Sequence, residues 1–111
     1  MTGETRALLQ RAIDHYGEGA QLVKAMEELS ELVQAVAKYT VLPSIPATDA
    51  EAEAMTRAMD HVAEEIADVR IMLDQLEMIT DTHDRAARWR RKKLMRLRQR
   101  LDEEDGHGEM L

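Results

Sequence analysis

Two short runs hold the acids whose types and spacing could do chemistry. In EELSELVQAVAKY, residues 27–39, Glu27, Glu28 and Glu31 interrupt an otherwise apolar helical pattern. Farther along, EEIADVRIMLDQL, residues 64–76, sets Glu64, Glu65 and Asp68 into a second apolar stripe. Residues three or four apart share a helical face, so Glu28 and Glu31 project together from one helix and Glu65 and Asp68 from another. Carboxylates brought together in this way repel, and the repulsion grows as water is removed. A divalent cation relieves it. Mg²⁺ binds hard oxygen ligands in octahedral geometry and keeps waters that phosphate oxygens can replace, and Mn²⁺ shares the taste for oxygen.

For one such cluster a solvated acidic face is the ordinary explanation, because acids make up 22 of the 111 residues. Two clusters of matching design on long helices favour the cation. A di-iron carboxylate site would need a Glu-x-x-His pair on each of two helices, and the one such spacing is Glu104 with His107, in a glycine-broken segment. His61 stands one turn before Glu65 and could join a site, although a solvated histidine near a helix start suffices to explain it.

A third run has the opposite charge. Residues 85–100 hold nine of the fifteen Lys and Arg and no acid, so the rest of the chain sets six cations against 22 acids, within a net charge of −7. An acidic body thus carries one basic helix. On a helical wheel Trp89, Lys92, Lys93, Arg96 and Arg100 share one broad face that a polyanion could use, whereas Arg90 falls near the apolar stripe. Salt bridges to the acidic helices would account for the same cations. Lys24 precedes Glu28 by one turn and is either a phosphate contact or an i,i+4 ion pair; Lys38 suits a helix C-terminus. Gln21 and Trp89 are candidates for touching a base.

These residues need helices to position them. Phe is absent and Trp occurs once, so the core is aliphatic, with eight Met, which favours helix over sheet. Leu8, Leu9, Ala12, Ile13 and Tyr16 predict a first helix over 5–16, closed by Gly17 and Gly19. Leu22, Met26, Leu29, Val33 and Val36 predict a second over 20–39. Pro43 and Pro46 make residues 40–49 a loop, and Thr48 or Asp49 can cap the helix after it. The third helix reaches Thr80, either as one rod or as a short leader joined to a main helix at about His61. After a polar turn over 81–84, residues 85–101 form the fourth, with Ala86, Leu94, Leu97 and Leu101 inward. The expected organisation is one all-α, four-helix-bundle-like domain over 1–101 and a polar flexible tail over 102–111. So small a core favours sharing an apolar face with a second copy, as a dimer or a dimer of dimers. The chain has no cysteine, which suits the cytoplasm, and no apolar run approaches the ~20 residues of a membrane span.

The pattern EExxE followed by ExxD, set in KAMEELSELVQAVAK and AEEIADVRIML, resembles the MazG-like branch of the all-α nucleoside triphosphate pyrophosphohydrolases. The similarity covers about residues 17–100, and the PSIPATDAEAEA segment makes the gap between the motifs longer than is usual for the family. The resemblance implies that Glu28, Glu31, Glu65 and Asp68 bind Mg²⁺, which holds a triphosphate for attack by water and release of pyrophosphate. It also implies phosphate contacts from KLMRL at 93–97, through Lys93 and Arg96. The expected activity is cleavage between the α and β phosphates of an NTP or dNTP, with Glu27 or Glu31 as proton acceptor and with Lys24 and Gln21 among the substrate contacts. The alternative is a non-catalytic helical adaptor or nucleic-acid-binding module that uses the basic helix over 85–100. The net negative charge makes nucleic acid the less favoured ligand.

Overall fold

Thr2 begins the first helix by accepting a hydrogen bond at its side-chain oxygen from the Thr5 backbone N–H at 3.1 Å. The computed structural model describes residues 1–109, which form four helices with no strand among them: α1 (Gly3–Tyr16), α2 (Glu18–Thr40), α3 (Asp49–Thr80) and α4 (His83–Glu109). By the density of its internal contacts the chain divides into a unit spanning Met1–Ile79 and a second beginning at Thr80.

Gly17 makes the break between α1 and α2. Its φ of 94° is open to glycine and strained for other residues, and its N–H donates to the Ile13 carbonyl while its own carbonyl accepts from Gln21. The proline loop falls at 41–48, as its sequence predicts. Thr48 rather than Asp49 caps α3, accepting from the Glu51 N–H at 3.1 Å, and the Glu51 carboxylate reaches back to the Ala47 N–H at 2.6 Å. This reciprocal arrangement closely resembles a capping box. Between the two forms open to the third helix, the structure takes the single rod: α3 runs unbroken for 32 residues, about 48 Å at 1.5 Å per residue. Asp81, at φ 53°, turns the chain between α3 and α4.

Two expectations change. The fourth helix does not stop at Leu101 but runs on to Glu109. Asp102 to Asp105 contain no breaker, and Gln99 donates to Glu103 across one turn at 3.5 Å. A glycine within a helix costs only about 1 kcal/mol relative to alanine. Met110 and Leu111, the end of the expected tail, lie outside the described residues.

The second change concerns which faces are buried. On α1 only Leu9 and Ile13 are buried, while Leu8 and Tyr16 are exposed. On α2 the apolar stripe is largely solvent-facing in the single chain, with Met26 61% and Val33 68% exposed. The buried face is Gln21, Ala25, Glu28 and Ala35. The reason is steric as well as chemical: two alanines allow close approach to α3, whose buried residues are Glu65, Val69, Met72 and Gln75. On α4, Leu94, Leu97 and Leu101 are each more than two-fifths exposed.

Candidate metal centre

The α2 and α3 faces meet in antiparallel register. Gln21 contacts Gln75 at one level, and Glu28 and Glu31 approach Glu65 at another. The helical spacing read from the sequence therefore places the acids on the two faces that turn toward each other. Carboxylate oxygens of Glu28, Glu31 and Glu65 lie within 4.8 Å of one another, as do those of Glu64, Glu65 and Asp68. Glu65 belongs to both triads and joins them.

Glu28 and Glu65 are each only 7% exposed. Each has one oxygen engaged by a basic residue one turn earlier on its own helix. Lys24 Nζ lies 3.1 Å from Glu28 Oε1, and His61 Nε2 lies 3.5 Å from Glu65 Oε1. The other oxygen of each, Oε2, is buried without a hydrogen-bond partner. Leaving one buried acceptor unsatisfied costs about 1–3 kcal/mol, and more when the group is charged. Two such atoms on facing helices are costly as bare anions, and a cation would compensate both. The donor set fits a hard divalent ion: it is all oxygen, it comes from two helices, and it includes exposed Glu31 and half-buried Asp68, so part of the site is open to solvent.

The electrostatics agree with crowding. The Glu31 carboxyl is raised above its ordinary value, first by the negative charge of Glu28 and then by lost hydration; Glu65 adds to the effect and Lys24 opposes it. The Lys24 ammonium is raised in turn, chiefly by its hydrogen bond to Glu28 and by that residue's charge.

Not every expected site residue joins this cluster. Glu27, one position and so about 100° from Glu28, lies outside both triads and instead lines an adjoining cleft with Tyr16, Gln21, Lys24, Met72 and Gln75. Lys93 and Arg96 are exposed on α4, in the unit that begins at Thr80. There Lys92 Nζ sits 5.3 Å from the centre of the Trp89 ring. Two further residues join the candidate region without having been among the expected ligands or substrate contacts: Glu64, read only as part of the second acidic run, and Gln75. Glu64 joins the second triad, and its i,i+4 spacing to Asp68 is the signal that could have found it. Gln75 pairs with Gln21, and a lone amide within the stripe that includes Met72 is the clue. His61, for which a solvated histidine sufficed, is half-exposed but tied to Glu65.

Compared with family models, with curated proteins and with solved structures, the chain has no match.

Proposed function

We propose that this chain is a Mg²⁺-dependent nucleoside triphosphate pyrophosphohydrolase, cleaving between the α and β phosphates to give a nucleoside monophosphate and pyrophosphate. The observation that carries the reading is the pair of buried, unpartnered carboxylate oxygens on Glu28 and Glu65, flanked by Glu31 and Asp68. The EExxE and ExxD motifs, similar to those of MazG-like enzymes, supply the reaction class.

Glu28, Glu31, Glu65 and Asp68 would hold the cation. Bound there, it supplies neutralisation of phosphate oxygens and a lowered pKa for a ligated water. Lys24 and His61 each fix one oxygen of a buried carboxylate and so orient the other toward the site. Glu31 is exposed to solvent and has a raised affinity for protons, so its carboxylate is suited to take a proton from the attacking water. Glu27 stands at the cleft instead. Lys93 and Arg96 are assigned to the triphosphate through the motif resemblance alone.

The exposed stripe on α2, from Met26 to Val36, favours a homodimer or homotetramer in which a second copy covers it. Sedimentation tests this, with a dimer or tetramer expected at micromolar concentration and a monomer counting against it. The concentration of nine cations in residues 85–100 favours, as a second reading, an oligonucleotide-binding adaptor. Pyrophosphate release from a panel of NTPs and dNTPs, with and without Mg²⁺, separates the two. The enzyme releases pyrophosphate only with the metal, and the adaptor releases none from any nucleotide.

A further inference from the structure

Seven residues before Glu28 on α2, which is about 10 Å along the helix at 1.5 Å per residue, the same interface carries a different polar layer. Gln21 Nε2 donates to Gln75 Oε1 at 2.6 Å, with the two residues 8% and 3% exposed. Both line a cleft of about 570 Å³ with Tyr16, Val23, Lys24 and Met72. Lys24 belongs to the cleft and also bonds Glu28, so the cleft adjoins the carboxylate centre. The separation is comparable to that between a base and the phosphates of an extended nucleotide.

Beyond their mutual bond the two amides, both lining the cleft, leave one group each, outward of the pair. Gln21 Oε1 has no side-chain partner among the described residues, and Gln75 Nε2 has only the Met72 sulfur at 3.8 Å, a weak acceptor. In this setting the pair offers one acceptor and one donor. If both amides turn over together, their mutual hydrogen bond survives with its direction reversed, and the outward groups exchange places. Cytosine and adenine present an amino donor beside a ring-nitrogen acceptor; thymine, uracil and guanine present a carbonyl acceptor beside an N–H donor. With the sugar held on one side, these two orders require opposite settings of the pair.

Resting on the pyrophosphohydrolase reading, we infer that the Gln21–Gln75 pair is a reversible reader of the nucleobase edge, which lets one cleft accept both amino and keto bases. It would make the enzyme permissive by construction, because each setting costs the pair no hydrogen bond. Replacing either amide by a carboxylate removes the choice. The remaining amide still donates inward, both outward groups become acceptors, and a base of either class is then matched at one position and opposed at the other.

The test uses α,β-imido analogues of dCTP and dTTP with Mg²⁺, and tripolyphosphate as a probe without a base. Dissociation constants come from calorimetry, and pyrophosphate release is measured separately on dCTP and dTTP. For the wild-type chain the two analogues should bind within about threefold of each other and each at least about tenfold more tightly than tripolyphosphate, the scale of one good base-edge contact. Gln75→Glu and, independently, Gln21→Glu should each weaken both analogues by about tenfold or more relative to tripolyphosphate. Nucleotide binding unchanged relative to tripolyphosphate in the folded variants overturns the inference, as does wild-type binding of tripolyphosphate as tight as that of the nucleotides. A wild-type preference of tenfold or more for one base class overturns it without any variant. Pyrophosphate release with nucleotide binding unmoved by the variants leaves the enzyme reading standing and removes the reader. The expected binding pattern without pyrophosphate release does the reverse.

Discussion

The α2–α3 interface holds two buried polar layers that solve the same physical problem differently. At Gln21 and Gln75 two neutral amides satisfy each other with a 2.6 Å hydrogen bond. At Glu28 and Glu65 two carboxyl groups are buried to nearly the same extent and each keeps an oxygen without a partner. The amide layer closes one hydrogen bond within the chain and holds none of the buried unpartnered atoms found at the acids. The acid layer is partnered at one oxygen of each carboxylate only, by Lys24 and His61, and that contrast is what supports the proposed cation site. Buried polar groups are normally hydrogen-bonded, so an exception on each of two facing helices supports the proposed ligand.

The largest effect should come from breaking the acid layer where its two triads join. Glu65→Ala is expected to lower pyrophosphate release by at least about a hundredfold, since even outer-shell changes at metal sites cost 10–100-fold. Full activity in this variant, measured with saturating Mg²⁺, would sink the metal site. Next in size, Lys93→Ala and Arg96→Ala test whether the acid layer holds the triphosphate unaided. A lost charge-assisted contact worth about 1.5–3 kcal/mol should lower kcat/KM by about ten- to a hundredfold with little change in Tm. Unchanged turnover in both would remove α4 from the active site.

Metal should distinguish the layers through stability as well. At a Mg²⁺ concentration of about 100 Kd the folded state gains about 2.7 kcal/mol, read as a rise in Tm that Glu28→Gln or Glu65→Gln diminishes and Gln75→Leu retains. Without metal the two layers should respond with opposite signs. Gln75→Leu strands the Gln21 amide and should destabilise by about 1–3 kcal/mol. Glu65→Gln removes a repelling charge and should leave metal-free stability unchanged or higher. Chemical denaturation in EDTA measures both, and a large loss in Glu65→Gln would mean that the acid layer is already satisfied without a cation.

The smallest effect concerns pH. Glu31 takes up its proton more readily folded than unfolded, because its carboxyl is raised above the ordinary 4.5. Across the window between that value and its raised one, the native state binds more protons than the unfolded state. Metal-free stability contributed by this group therefore increases as pH falls through the window and is lost as pH rises. Lys24 acts at the far end of the scale: its contribution is complete below 10.5 and fades as pH rises through its raised value. Denaturation midpoints for Glu31→Gln against wild type should converge toward the acid side of the first window, and parallel profiles would refute the Glu31 assignment.

The sequence by itself determined the all-α class, the breaks between the helices and the pairing of acids within each. The 3.6-residue period, the prolines at 43 and 46 and Gly17 are local signals, and i,i+3 spacing puts Glu28 with Glu31 and Glu65 with Asp68 whatever the helices pack against. What it left undecided was which side of each helix turns inward. A strong apolar stripe on α2 pointed to Met26 and Val33, yet the structure buries Gln21, Ala25, Glu28 and Ala35, because small residues permit close approach and a polar layer can be tolerated where it is paired or ligated. That choice belongs to the tertiary structure, since it depends on α3 offering Gln75 to Gln21 and Glu65 to Glu28. The separation of Glu27 from Glu28 was likewise hidden: both read as members of one motif until the orientation of α2 sent one to the cleft and the other to the carboxylate centre.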